Sequence, residues 1–302
     1  MPMKLFARID LTLRLAGIAM LALPAVALAQ MPGLANDPTA PQAAPAAPIA
    51  LLPHRAVYDL SLGQEVGTGG IAALRGRMVY EFTGAACEGY GVNFRFVTDI
   101  TDTEGGRRVS DLRSTSFEGG AGESFRFLTQ NFLDNKMSEE VKGSAERNKD
   151  GSLDVTTTAP ATKSVSSQGP VLLPTEHLIE TIAKARAGER FFDAPIFDGS
   201  ENGDKFFATA SVIGPAAAPK ADDPELAAIP DVFRQLPTWP VALTYFDPTE
   251  GTGELTPVYK LSFDLYDNGV SRGVSMDYGD LIIDARLVEL QLLDTPACAR
   301  AK

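Results

Sequence analysis

A chain of 302 residues that is 44% hydrophobic and 22% charged has the make-up of a globular protein able to bury its own core. Its formal net charge of −12 excludes ordinary nucleic-acid binding, which needs clustered Lys and Arg against phosphate. Only two cysteines and two histidines are present, which leaves little for a thiolate or imidazole metal site.

At the N-terminus Lys4, Arg8 and Arg14 precede the apolar run LAGIAMLALPAVALA, and Ala27 and Ala29 form an A-x-A pattern before Gln30. Basic, then apolar, then small is the order of a secretory signal peptide, here residues 1–29. The run is short and holds Pro24, so it is not read as a membrane span, and no cysteine follows it for lipid attachment. Removing it takes away three cations and Asp10, which moves the net charge from −12 to −14. So acidic a protein is expected to be repelled by anionic lipid head groups. Residues 30–52 are rich in Ala and Pro and read as an extended linker leading to a single domain, 53–302.

From His54 onward the dominant period is two. Ala56, Tyr58, Leu60 and Leu62 share one face of RAVYDLSL; Met78, Tyr80 and Phe82 share one face of RMVYEFT. Val92, Phe94, Phe96 and Ile100 alternate with polar residues, as do Phe125 and Phe127, then Tyr259, Leu261, Phe263 and Leu265, and Val288, Leu290 and Leu292. Alternation of this kind predicts half-buried strands, roughly a dozen in number. Gly105-Gly106, Asp150-Gly151 and Asn268-Gly269 supply hairpin turns between antiparallel neighbours, and Gly119-Gly120 another break. PTEHLIETIAKARAGE differs: Leu178, Ile179, Ile182 and Ala183 recur at helical spacing, with Thr175 placed to cap the start and Gly188 the end. Segment 214–240, rich in proline, reads as a long irregular loop.

A helix of about 12 residues is about 18 Å long, whereas a dozen strands at about 4.8 Å spacing extend over more than roughly 50 Å. One helix cannot cover the apolar face of such a sheet. The fold class expected is therefore mainly β: a curled antiparallel sheet, spiral, cup or barrel-like, with one main amphipathic helix. Export bears on the thiols. Outside the cytoplasm disulfides persist, and two cysteines allow one pairing, Cys87 with Cys298, against the alternative of two separate buried thiols. Cys87 follows an early strand and Cys298 the last, so the bridge would hold the end of the curl onto its beginning.

Catalytic kits are missing: there is no G-x-S-x-G, H-E-x-x-H, P-loop or G-x-G-x-x-G after a strand. His54 and His177 stand apart and read as surface or hydrogen-bonded residues. In DGSENGD, Asp198, Ser200, Asn202 and Asp204 fall at alternate positions of a calcium-loop pattern with Gly203 at the sixth. The twelfth position is Thr209 in place of the bidentate Glu, so Asp198, Asn202 and Asp204 read first as a polar turn and only weakly as a calcium site. Scattered carboxylates such as Asp99, Asp102, Glu118 and Glu123 keep open a hydrolase acting on cell-wall polymer through a carboxylate pair. No cofactor is implied. If the curl does not fill itself, Tyr80, Phe82, Phe94, Phe96, Phe125, Phe127, Leu261 and Phe263 would line an apolar cavity.

Five stretches in order, HRAVYDLSL, GRMVYEFTGAACEGYGVNFRF, TSFEGGAGESFRF, PTEHLIETIAKARAGE and LPTWPVALTYF, resemble the EipB family of periplasmic cell-envelope integrity proteins of alphaproteobacteria. The resemblance spans most of 53–300, both cysteines included. It implies a spiral antiparallel sheet forming a cup around a helix, a disulfide carried by Cys87 and Cys298, a periplasmic location, and a role in envelope integrity with no established enzymatic activity. Such a cup is similar to those of lipoprotein carriers, which shelter acyl chains, a likeness of fold alone. The partner implied is an envelope protein or a lipid-like ligand, with no nucleic acid and no membrane-spanning segment.

Overall fold

The structure, a computed structural model, describes residues 48–63, 70–249 and 255–298. The signal-peptide stretch 1–29 and the linker up to residue 47 lie outside the described residues. Two compact units divide the chain, and all that follows concerns the larger, which contains Ile49–Lys302.

Its first half is β1 (His54–Leu62), β2 (Ile71–Ala85), β3 (Gly89–Asp102), β4 (Arg107–Glu118), β5 (Ser124–Leu133), β6 (Lys136–Arg147), β7 (Leu153–Ala159) and β8 (Lys163–Ser166). The helix α1 (Pro174–Arg186) follows. The second half is β9 (Phe191–Ile196), β10 (Phe207–Ile213), β11 (Thr238–Phe246), β12 (Pro257–Tyr266), β13 (Ser271–Asp277) and β14 (Ile282–Leu292). These form one 14-stranded sheet in the order β8-β7-β6-β5-β4-β3-β2-β1-β14-β13-β12-β11-β10-β9, all pairs antiparallel. The chain thus starts mid-sheet, walks to one edge, crosses through α1 to the other edge, and walks back until β14 pairs with β1.

The sheet curls without closing. β8 and β9 are the two edges and do not pair with each other. The seam between them is filled by side chains and by one strap of backbone. Leu172, just before α1, donates from its amide to Pro195 and accepts from Phe197. Phe197 is fully buried against Phe125 and Phe127 of β5, at ring separations of 6.1 and 5.7 Å. Gly199 and Gly203 make this approach feasible, since a Cβ on either would stand 2.6 or 2.8 Å from the Phe127 ring. Lys163 of β8 completes the seam by pairing with Asp204.

The disulfide does form between Cys87 and Cys298, with Cα atoms 5.7 Å apart. Its place differs from the expectation that it closes the curl. Cys87 lies in the β2–β3 turn and Cys298 in the tail after β14, and the strands β2 and β14 flank β1 at the centre of the sheet. The bridge staples the C-terminal tail across β1, while the edges meet elsewhere.

α1 lies where the period predicts, and its cap is shared: its own Glu176 accepts from the Leu173 amide at 2.9 Å, and another element supplies the rest. Leu173 is the N-cap and Thr175 is already inside the helix. The first-turn amides of Thr175 and Glu176 donate to the two carboxylate oxygens of Glu118 at 2.8 and 3.1 Å. Gly188, at φ +76°, follows the C-cap as the sequence suggests. Ile182 is fully buried with Leu51, Phe82, Tyr90, Val241 and Leu265 in the core beneath the helix. The end of the linker is therefore docked: Leu51 is 7% exposed and the Leu52 amide donates to Asn268.

The proline-rich loop is a structural part as well. β13 and β14 pair only through 274–277 with 282–285 and then part. Into the gap the loop sends Glu225, whose carboxylate accepts from the Leu287 amide at 2.6 Å and the Gly273 amide at 2.8 Å. Arg272, beside it, pairs with Asp223 and Asp264. Behind this polar latch Ile229 and Phe233 are buried, with Phe233 edge-on to Tyr266 at 5.2 Å.

Candidate ligand-binding cup

The strand register decides which side chains face inward. Ala56, Tyr80 and Phe94 stand in one row across β1, β2 and β3, and the row continues through Ser114 and Thr129 of β4 and β5. The next row runs Tyr58, Met78, Phe96, Leu112 and Asn131. Across the curl, Val241 faces Phe263 and Leu243 faces Leu261. Alternation in each strand thus builds an inner wall that is apolar on β1–β3 and β11–β14 and changes to hydroxyls on β4 and β5. Those hydroxyls have partners of their own: Ser114 bonds Thr129 at 3.0 Å, and Ser110 donates to Asn131 at 3.1 Å.

Six of the eight residues expected to form the wall are brought together. Tyr80, Phe94, Leu261 and Phe263 are half-buried and pack on a core that includes Phe96, Met78, Leu112 and Met276. Tyr80 and Phe263 also touch the core under α1, so the two clusters are continuous there. Phe82 lies in the helix core at 3% exposure, which makes it support for the cup. Phe125 and Phe127 stand elsewhere. They are sealed into a separate cluster by Phe197, Leu173 and Val171, because the turn after β9 and the strap before α1 stop over β5. The structure joins Tyr259, which alternation places in β12, to Tyr245 and Tyr278, which it did not single out. Tyr245, Tyr259 and Tyr278 form a chain of rings at 5.6 and 5.1 Å, and burial pushes the Tyr278 phenol up to about 12.

The histidines are structural. Burial lowers His177 to about 4, so it is neutral. Its Nε2 stands 3.3 Å from the Thr209 hydroxyl, which itself donates to the Ala194 carbonyl. His54 is also depressed by burial and its Nδ1 donates to the Leu52 carbonyl at 2.7 Å. In the turn 198–204 the Asp198 carboxylate accepts from the Ser200 amide, and Asp204 pairs with Lys163. Among the described residues no three His, Cys, Asp or Glu side chains converge in a way that would hold a metal. No described helix is long and apolar enough to cross a membrane.

A partly covered apolar wall on an unclosed sheet meets a family of related proteins. A family profile described as EipB-like matches residues 45–294. A curated relative, the cell envelope integrity protein EipB of Brucella abortus (strain 2308), is 40% identical over 253 residues, which cover 84% of this chain and 88% of that protein. The chain belongs to the EipB-like family. A crystal structure from Brucella abortus, described as a β-barrel-like protein of a domain of unknown function, DUF1849, superimposes with a TM-score of 0.77 at 41% identity, over 82% of this chain and 100% of that one. The EipB-like match takes in all eight expected wall residues and Cys87, and ends four residues before Cys298.

Proposed function

We propose that this EipB-like protein acts in the periplasm, after export, as a non-enzymatic component that supports cell-envelope integrity by holding an apolar or acyl group, or an apolar segment of a partner protein, in its cup. The name of the Brucella relative supports the envelope role. The observation that carries the binding mode is the half-buried apolar set Tyr80, Phe94, Leu261 and Phe263, which one helix and one loop leave partly uncovered. A wall that is apolar on one side and hydroxyl-bearing on the other suits an amphiphile, whose tail and polar end need different surfaces. Two buried acids that a hydrolase could have used are engaged in structure: Glu118 caps α1 and Glu225 latches the loop.

An environment-sensitive apolar dye is expected to bind the folded protein saturably and to be displaced by fatty acids and acylated peptides. Phe263→Asp is expected to abolish the displacement. A dye that no lipid displaces turns the reading toward a protein segment, and cleavage of cell-wall polymer by the purified protein overturns it.

A further inference from the structure

The inward wall carries almost no charge. Between Arg108 at the rim and Glu118 at α1, no inward position of β1–β5 or β9–β12 bears a charged side chain. At roughly 3.3 Å per residue along β4, Arg108 is about 20 Å from Ser114, and Glu118 is about 13 Å away on the other side. On β6, Glu139 faces Asn131 and Lys136 faces Leu133; both are exposed and they are opposite in charge. Lys163, inward on β8, is taken up by Asp204. The acids are the charges that reach the wall's phenols. Burial raises Tyr80 and Tyr245, and Glu118 adds to the first and Asp198 to the second.

The polar groups in the middle of this wall are neutral, and part of their bonding capacity is unused. Ser114 and Thr129 share one hydrogen bond, which takes up one of their two O–H donors. Asn131 accepts from Ser110 through its side-chain oxygen. The second hydroxyl hydrogen and the Asn131 amide hydrogens have no partner among the described residues. Ser114 and Thr129 continue the cross-strand row of Tyr80 and Phe94, so these donors stand beside the apolar surface. A carbonyl oxygen suits the place. It accepts two hydrogen bonds and brings no charge into a wall that offers no counter-ion. A carboxylate, phosphate or ammonium group there would lose its water without gaining an opposite charge.

We infer that the cup selects acyl chains carried on an uncharged carbonyl link, an ester or an amide, with the carbonyl oxygen on Ser114, Thr129 and Asn131 and the chain along Phe94, Tyr80 and Phe263. This selection rests on the cup being the binding site, and it goes further by naming the polar end. A free fatty acid still enters by its chain, but its carboxylate must stay in water at the rim and leaves the donors of β4 and β5 unused. An alkylammonium meets the same lack of a counter-ion in the middle of the wall, where the acids that reach the phenols lie at the ends.

Displacement of the apolar dye by amphiphiles of one chain length tests this. A monoacylglycerol and a fatty-acid amide are compared with the ionised fatty acid and the alkylammonium at neutral pH, all below their micellar concentrations. The ester and the amide are expected to displace the dye at concentrations about tenfold lower than the two charged compounds. Ser114→Ala with Thr129→Val keeps the shape of the wall and removes both hydroxyls. It is expected to shrink that advantage to about twofold and to leave displacement by the fatty acid unchanged. Ser114→Lys supplies the missing counter-ion and is expected to put the fatty acid first. Dye binding that stays saturable in each variant shows an intact cup. A charged compound that displaces as well as the ester from the unmutated protein overturns the selection and leaves the cup reading standing. So does an advantage that the double variant retains in full. No displacement by any of the four overturns both.

Discussion

Glu118 is 3% exposed at the end of β4, with its carboxylate facing the first turn of α1. The helix dipole favours a charge there. Desolvation outweighs it, and with the nearby Glu176 carboxylate the group is pushed up to about 7. Tyr80 and Tyr90 pack close enough that their phenols are raised further by the same charge. A carboxyl whose folded value lies above its unfolded one binds protons more tightly when folded. Its contribution is complete below the unfolded value, near 4.5, and is lost as pH climbs through 7. The span corresponds to a loss on the order of 3 kcal/mol. Glu118→Gln mimics the protonated form at every pH. Thermal melts are expected to show the variant close to the unmutated protein at pH 5 and gaining on it by pH 8; a gap that stays constant across that range would show that Glu118 does not titrate with folding. The disulfide acts at the same scale but through the unfolded chain. A bridge across a sequence separation of 211 restricts that chain wherever the cysteines sit in the sheet. On the chain-entropy account it is worth about 5 kcal/mol, even though the edges do not need it for closure.

Among the elements, the loop that carries the two short 3-10 turns Pro224–Ala227 and Asp231–Phe233 does the most that its sequence conceals. Its prolines remove donors and break any period, so it reads as irregular, which it is. Nothing in that pattern tells that Glu225 replaces the ladder partners missing between β13 and β14, or that Phe233 is 2% exposed behind it. Phe233→Ala deletes a buried ring and is expected to cost about 3–5 kcal/mol. It is also expected to raise the affinity of the apolar dye, because the ring contributes to the same core that the cup residues line. Lower stability with unchanged dye binding would separate the loop from the cup. By contrast the strands were legible, since each alternation in sequence reports one buried face and the turn dipeptides report positive φ, as at Gly105, Gly151 and Gly269. The helix was legible by its period. The Glu118 part of its cap was not, because the sheet brings it to the helix from a separation of 57 residues. The cup was half legible for the same reason. Alternation places Phe125 and Phe127 on the inward face with Phe94 and Phe96, but only tertiary structure brings Phe197 over them.

At the scale of the molecule the consequence is a sheet with a firm middle and two weak ends. β1, β2 and β14 are paired on both sides, and β1 and β14 carry the fully buried Ala56 and Leu287. β8 has one partner and four residues, and β9 has one partner plus the strap at Leu172. The two wings hold each other through Phe197 and the Lys163–Asp204 pair, not through a hydrogen-bonded ladder. A seam of that kind opens locally at lower free energy than the whole fold, since few backbone bonds need to break. Phe197→Ala removes its main apolar contact. Hydrogen exchange followed by mass spectrometry is expected to accelerate in β6–β8 and β9, while β1, β2 and β14 keep the exchange of the unmutated protein. Acceleration spread evenly over all fourteen strands would mean that the sheet unfolds as one unit and that its open edges have no dynamics of their own. The selective outcome would give the cup a way to change its width: the wings part at the seam, and the central strands, pinned by the disulfide across β1, stay in register.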